Sequence, residues 1–84
     1  MTYTVEILRS AQKRLAKIDG QDRSRIIVAI RALANDPRPV GSKKLSGRSA
    51  WRIRIGAYRV IYEIRDSQLL VLVVAVGHRG EVYR

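Results

Sequence analysis

Three arginines crowd one short stretch, "WRIRIGAYRVIYEI" (residues 51–64), at Arg52, Arg54 and Arg59. A second cluster closes the sequence, where "VGHRGEVYR" brings together His78, Arg79, Glu81, Tyr83 and Arg84. Guanidiniums are forked donors matched to phosphate oxygens, and they keep their charge at any physiological pH. For the same reason they are poor bases. Proton transfer has to come from Tyr83 or His78, and neighbouring cations favour the tyrosinate form. With 1 histidine, no cysteine and no paired carboxylates beside it, neither a metal site nor a serine or cysteine triad can be assembled. The remaining inventory suits RNA cleavage, in which the nucleophile is the substrate's own 2′-hydroxyl. Such chemistry asks for alignment, charge stabilisation and proton transfer, without a metal or any other cofactor.

The bulk composition points the same way. Lys and Arg number 17 against 7 acids, a net charge of +10 in 84 residues, which implies a polyanionic partner. Nucleic acid, an anionic membrane and an acidic protein all qualify, and a plain solubility role is the alternative. A membrane fits poorly, because the cations are not gathered on one long amphipathic helix. The apolar run from Leu69 to Val76 is far shorter than the roughly 20 residues a membrane-spanning helix needs. "MTYTVEILRS" carries no basic start, apolar stretch and cleavage site of a signal peptide, so a cytoplasmic location is expected.

The elements that must hold these residues are those of one α+β domain spanning residues 1–84. "TYTVEIL" alternates as a short strand. "SAQKRLAKI" puts Ala11, Leu15 and Ile18 at helical spacing, with Ser10 as its cap. Asp22 is expected to cap a second helix, whose Ile26, Ile27, Ile30 and Leu33 form one apolar stripe ended by Pro37. The two read as a helical hairpin with Lys13, Arg14, Lys17, Arg23, Arg25 and Arg31 turned outward. An antiparallel meander follows, with helices packed on one of its faces. Its strands turn at Gly56-Ala57, suited to a type II′ hairpin, and at Asp66-Ser67. "LLVLVVAV" is apolar on both faces and so reads as a central strand.

The hairpin register turns the arginines into a specific oddity. A two-residue turn at Gly56-Ala57 sets Arg54 directly opposite Arg59, with Arg52 on the same face across from Ile61. The other face pairs Trp51 with Tyr62, Ile53 with Val60 and Ile55 with Tyr58, a set fit to receive the helices. Like charges directly opposite destabilise a strand pair by about 0.2–1 kcal/mol, so an anion between them would explain the arrangement. Continuing the alternation places Leu70, Leu72, Val74 and Val76 on the arginine face, an apolar strip open to a partner peptide or to the chain's own C-terminus. It also places His78, rather than Arg79, on that face, unless Gly77 and Gly80 permit a twist or bulge.

The order of strand, two helices, "KKLSG" loop, "WRIRIGAYRVIYEI", apolar strand and closing "VGHRGEVY" resembles the RelE branch of the RelE/ParE toxin superfamily over nearly the whole chain. The resemblance implies a RelE-like fold and the toxin of a type II toxin–antitoxin pair. It implies an endoribonuclease that enters the ribosomal A site and cleaves mRNA, and a small cognate antitoxin that wraps the toxin in a hetero-oligomer. Position by position, it implies phosphate stabilisation by Arg52, Arg54 and Arg59. Arg79 becomes the acid or charge stabiliser and Tyr83 the base, with His78 able to share proton transfer. Lys43, Lys44 and Arg48 are expected to contact RNA. Two alternatives share the fold or the charge: a ParE-like inhibitor of DNA gyrase without nuclease activity, and a non-catalytic RNA- or ribosome-binding module.

Overall fold

A computed structural model describes residues 2–78 of the chain. Strand β1 (Thr4–Ile7) leads into helix α1 (Arg9–Ala16) and helix α2 (Gly20–Ala32). Then come β2 (Lys43–Lys44), β3 (Trp51–Ile55), β4 (Tyr58–Arg65), a 3-10 turn at Asp66–Gln68, and β5 (Leu70–His78). The strands form one five-stranded sheet in the order β1-β5-β4-β3-β2. The meander β3-β4-β5 is antiparallel as the sequence implies, whereas β1 runs parallel to β5. A parallel pair needs a long crossover, and the helical hairpin is part of the chain between them.

Both helices form where their apolar spacing places them, but their starts differ from expectation. α1 begins at Arg9 with Leu8 in the N-cap position, without a side-chain cap, and Ser10 lies inside its first turn. The Leu8 N–H still bonds to the Val73 carbonyl at 2.9 Å, so the helix starts as soon as the strand lets go. α2 is capped by Asp19, whose carboxylate accepts from the Gln21 N–H at 3.3 Å, while Asp22 falls in the first turn. The three-residue connection Lys17–Asp19 is too short to leave Asp22 outside the helix. Arg23 reaches back to donate to the Ile18 carbonyl at 3.2 Å and the Ala16 carbonyl at 3.4 Å, partnering groups that α1's end would otherwise leave open.

The core lies between the helices and one sheet face. Ala11, Leu15, Ile18, Ile26, Ile30 and Leu33 pack on Ile53, Val60, Tyr62, Val71, Val73 and Val76. Tyr62 is fully buried in this layer, and its hydroxyl donates to the Pro37 carbonyl at 2.8 Å, which removes the penalty of an unpaired phenol. Burial pushes the Tyr62 phenol up to about 12. The same bond pins the chain beyond α2 to the core at Pro37.

Two features of the β4–β5 connection revise the expected register. The turn is not a tight Asp66-Ser67 link: it runs through the 3-10 segment to Leu69, which is left-handed at φ 50°. Four residues, 66–69, separate the paired Arg65 and Leu70, an even number, so Leu70 and Leu72 do land on the arginine face. Further along, a bulge intervenes, because Ile61 faces Ala75 while the next residue, Tyr62, faces Val73. Val74 is the extra residue, and every later side chain of β5 changes sides. Val76 therefore pairs with Val60 in the core, not on the arginine face, and His78 pairs with Tyr58.

Candidate nucleic-acid interface

The β3–β4 hairpin builds the centre of the site. Gly56 has φ 59° and Ala57 does not share the positive sign, as a type II′ turn requires. Arg54 then faces Arg59, Arg52 faces Ile61, and Ile53 faces Val60, all as expected from the alternation. Arg54 is exposed and Arg59 half-buried. The two line a concavity of about 150 Å³ together with Gly56, Ala57 and Tyr58. From the helical layer, the Arg25 guanidinium approaches the same turn, 3.8 Å from where a Cβ on Gly56 would stand.

The short strand β2 lies where the sequence implies only a loop. Lys43 pairs with Arg52, and Lys44 pairs with Trp51. Directly opposed residues share a face, so Lys43 joins the arginines and Lys44 turns to the helix side. Arg52 is 8% exposed, beside the buried Ile61, and makes no salt bridge among the described residues. No fully buried side-chain nitrogen or oxygen there lacks a hydrogen-bond partner, so its stem is covered while its guanidinium stays at the surface. The open face thus carries two adjacent like-charge oppositions, Lys43 with Arg52 and Arg54 with Arg59.

At the other end of β3, Lys44, Leu45, Ser46, Gly47, Arg48 and Ser49 surround a larger concavity of about 580 Å³. The Leu45 N–H to Ala50 carbonyl bond, 2.8 Å, closes this loop. Nearby, Arg38 clamps the start of β3 by lying over the Trp51 ring, 5.3 Å from its centroid. Its guanidinium also binds Asp66 at 2.9 and 3.3 Å, and the Tyr3 hydroxyl donates to the same carboxylate. Arg38 and then Tyr3 hold the Asp66 carboxyl below its usual range, and Asp66 pushes the Tyr3 phenol up.

Of the residues singled out in the sequence, Arg52, Arg54, Arg59 and Lys43 come together on one face. Lys44 and Arg48 form a neighbouring group beyond it. His78 does not join the arginines: the Val74 bulge turns it to the helix side, where its ring meets Tyr58 edge-on at 4.4 Å. Arg79 and Tyr83 lie outside the described residues. Among the described residues no three of His, Cys, Asp and Glu gather where they could hold a metal ion, and no helix is long and apolar enough to cross a membrane.

Two helices on one side of a five-stranded mixed sheet make a fold that solved RelE structures share. The structure of the RelE–RelB complex from Pyrococcus horikoshii matches it with a TM-score of 0.85 at 28% identity, over 96% of this chain and 99% of that one. Residues 5–83 match the family described as the ParE toxin of type II toxin–antitoxin systems. The chain belongs to that family, and within the RelE/ParE superfamily it is a RelE-like member. It is 31% identical to toxin RelG of Mycobacterium tuberculosis, over all of this chain and 99% of RelG. A putative RelE-like toxin protein of Escherichia coli is also 31% identical, over 99% of this chain and 92% of its own length.

Proposed function

We propose that this toxin is a ribosome-dependent endoribonuclease that cleaves mRNA in the A site and so inhibits translation. The observation that carries this reading is the doubled like-charge opposition, Lys43 with Arg52 and Arg54 with Arg59, on the sheet face that the helices leave open. A phosphodiester lying along such groups accepts charge-assisted hydrogen bonds from several of them at once. The substrate's 2′-oxygen attacks the adjacent phosphorus and its proton passes to Tyr83. The bond from phosphorus to the 5′-oxygen breaks, and that oxygen takes up a proton. The products are a 2′,3′-cyclic phosphate and a 5′-hydroxyl. Arg52, Arg54 and Arg59 hold the phosphate, and Arg79 stabilises the phosphorane or donates to the leaving oxygen, so no metal is required.

Lys44 and Arg48 extend the contact to mRNA or ribosomal RNA. A cognate antitoxin covers the half-buried Leu70 and Leu72 beside the arginines, as RelB accompanies RelE in the Pyrococcus complex, and the two form a cytoplasmic hetero-oligomer. The family description, which names the ParE toxin, favours a second reading: inhibition of DNA gyrase without nuclease chemistry.

Programmed ribosomes incubated with the toxin, with mRNA ends mapped by primer extension, separate the two. A-site cuts that disappear in Arg79→Ala and Tyr83→Phe are the expected result. Intact mRNA together with blocked gyrase supercoiling would establish the second reading instead.

A further inference from the structure

The site offers more than one phosphate position. Along β3, Arg52 and Arg54 lie two residues apart on one face, a separation of roughly 6.6 Å at the usual strand rise. That is comparable with the step between neighbouring phosphates in a single nucleic-acid strand. Each arginine has its own cation across the ladder, Lys43 beside Arg52 and Arg59 beside Arg54. The residues are thus arranged as two cation pairs in line, and β3 then runs back toward the concavity edged by Lys44 and Arg48. Lys43 is the unexpected member. Its strand is two residues long, and it is held in place by its pairing with Arg52 and by the closed loop between Leu45 and Ala50.

We propose that β3 is a phosphate ruler: Arg54 and Arg59 hold one backbone phosphate, and Arg52 and Lys43 hold the next. The inference rests on the RNA-cleaving reading and deepens it, because it makes Lys43 a substrate-positioning residue with a defined partner. It requires that a substrate with two consecutive phosphates gain affinity through Lys43, and that a single phosphate not do so.

The test uses fluorescent, non-cleavable 2′-O-methyl oligonucleotides carrying one, two or three phosphates, titrated against the full chain at several salt concentrations. With two or more phosphates, Lys43→Ala is expected to bind several-fold more weakly. Its slope of log affinity against log salt should be lower by about 0.7, the loss of one single-strand phosphate contact. With one phosphate, Lys43→Ala should match the wild type while Arg54→Ala is weakened, and Lys43→Arg should restore the slope. Lys43→Ala should also unfold no earlier than the wild type, because it removes a like-charge opposition. An unchanged slope in Lys43→Ala, or equal weakening with one phosphate and with three, would overturn the ruler while leaving cleavage intact. Failure of the wild type both to bind these oligonucleotides and to cut mRNA on ribosomes would overturn the underlying reading as well.

Discussion

On its helix side the sheet buries Ile53, Val60, Tyr62, Val71, Val73 and Val76, and the polar Tyr62 hydroxyl placed among them is matched by the Pro37 carbonyl. On its open side the same strands oppose Lys43 to Arg52 and Arg54 to Arg59. The two faces are made of alternate residues of one hairpin, so they share backbone, twist and hydrogen bonds. They differ in what completes them. The helix side is completed by the helices and by one matched polar pair, whereas the open side presents opposed cations.

Substitutions should therefore have opposite signatures on the two faces. The largest effect is expected for Arg54→Ala/Arg59→Ala, which should lower A-site cleavage by at least about 10²–10³-fold, the range for one charge-stabilising donor. The double variant should stay folded, so thermal melting beside the cleavage assay separates loss of chemistry from loss of structure. Unchanged cleavage would break the contrast between the faces. On the helix side, Ile30→Ala should destabilise the fold by about 2–5 kcal/mol. Each kcal/mol corresponds to roughly 4–8 °C in melting temperature for a domain of this size.

Tyr62→Phe tests the matched polar pair and should cost about 1–3 kcal/mol in denaturant unfolding, since the Pro37 carbonyl loses its donor. Its pH signature has a definite sign. The Tyr62 phenol is raised from 10 to about 12 in the fold, so its contribution is complete below pH 10 and declines as pH rises toward 12. Alkaline unfolding of the wild type should show that decline, and Tyr62→Phe should flatten it. The smallest effect is on the open face: Lys43→Thr should raise stability by about 0.2–1 kcal/mol by ending its opposition to Arg52, a gain that is read from the same denaturation curves.

Much of this contrast was legible in the residues. The hairpin register followed from strict alternation and a glycine at the first turn position, and Arg54 meets Arg59 as the alternation requires. The helical stripes were equally plain, because Ile26, Ile30 and Leu33 repeat at the helical period. What escaped was what carries no periodic signal. A strand of two lysines looks like loop, so Lys43 was named as a cation without its place beside Arg52. "LLVLVVAV" is apolar at every position and gives no hint of phase, so the bulge at Val74 and the reassignment of Val76 and His78 had no trace in residue type. The caps at Leu8 and Asp19 depended on where β1 ends and how short the interhelical link is, which are properties of the tertiary arrangement.

The bulge at Val74 also bears on how this sequence can change over time. Exchanging one aliphatic residue for another along β5 alters packing locally, and the bulge absorbs one residue of length: with Val74 deleted, Val73 would still face Tyr62 and Ala75 would still face Ile61 in an unbroken ladder. If Val74 were instead drawn into the ladder opposite Ile61, Val76 would leave the core to face Arg59 and Gly77 would face Tyr58 on the helix side. The strand is therefore tolerant of spelling, and the place at which its surplus residue is left out of the ladder is as much a part of the site as any arginine.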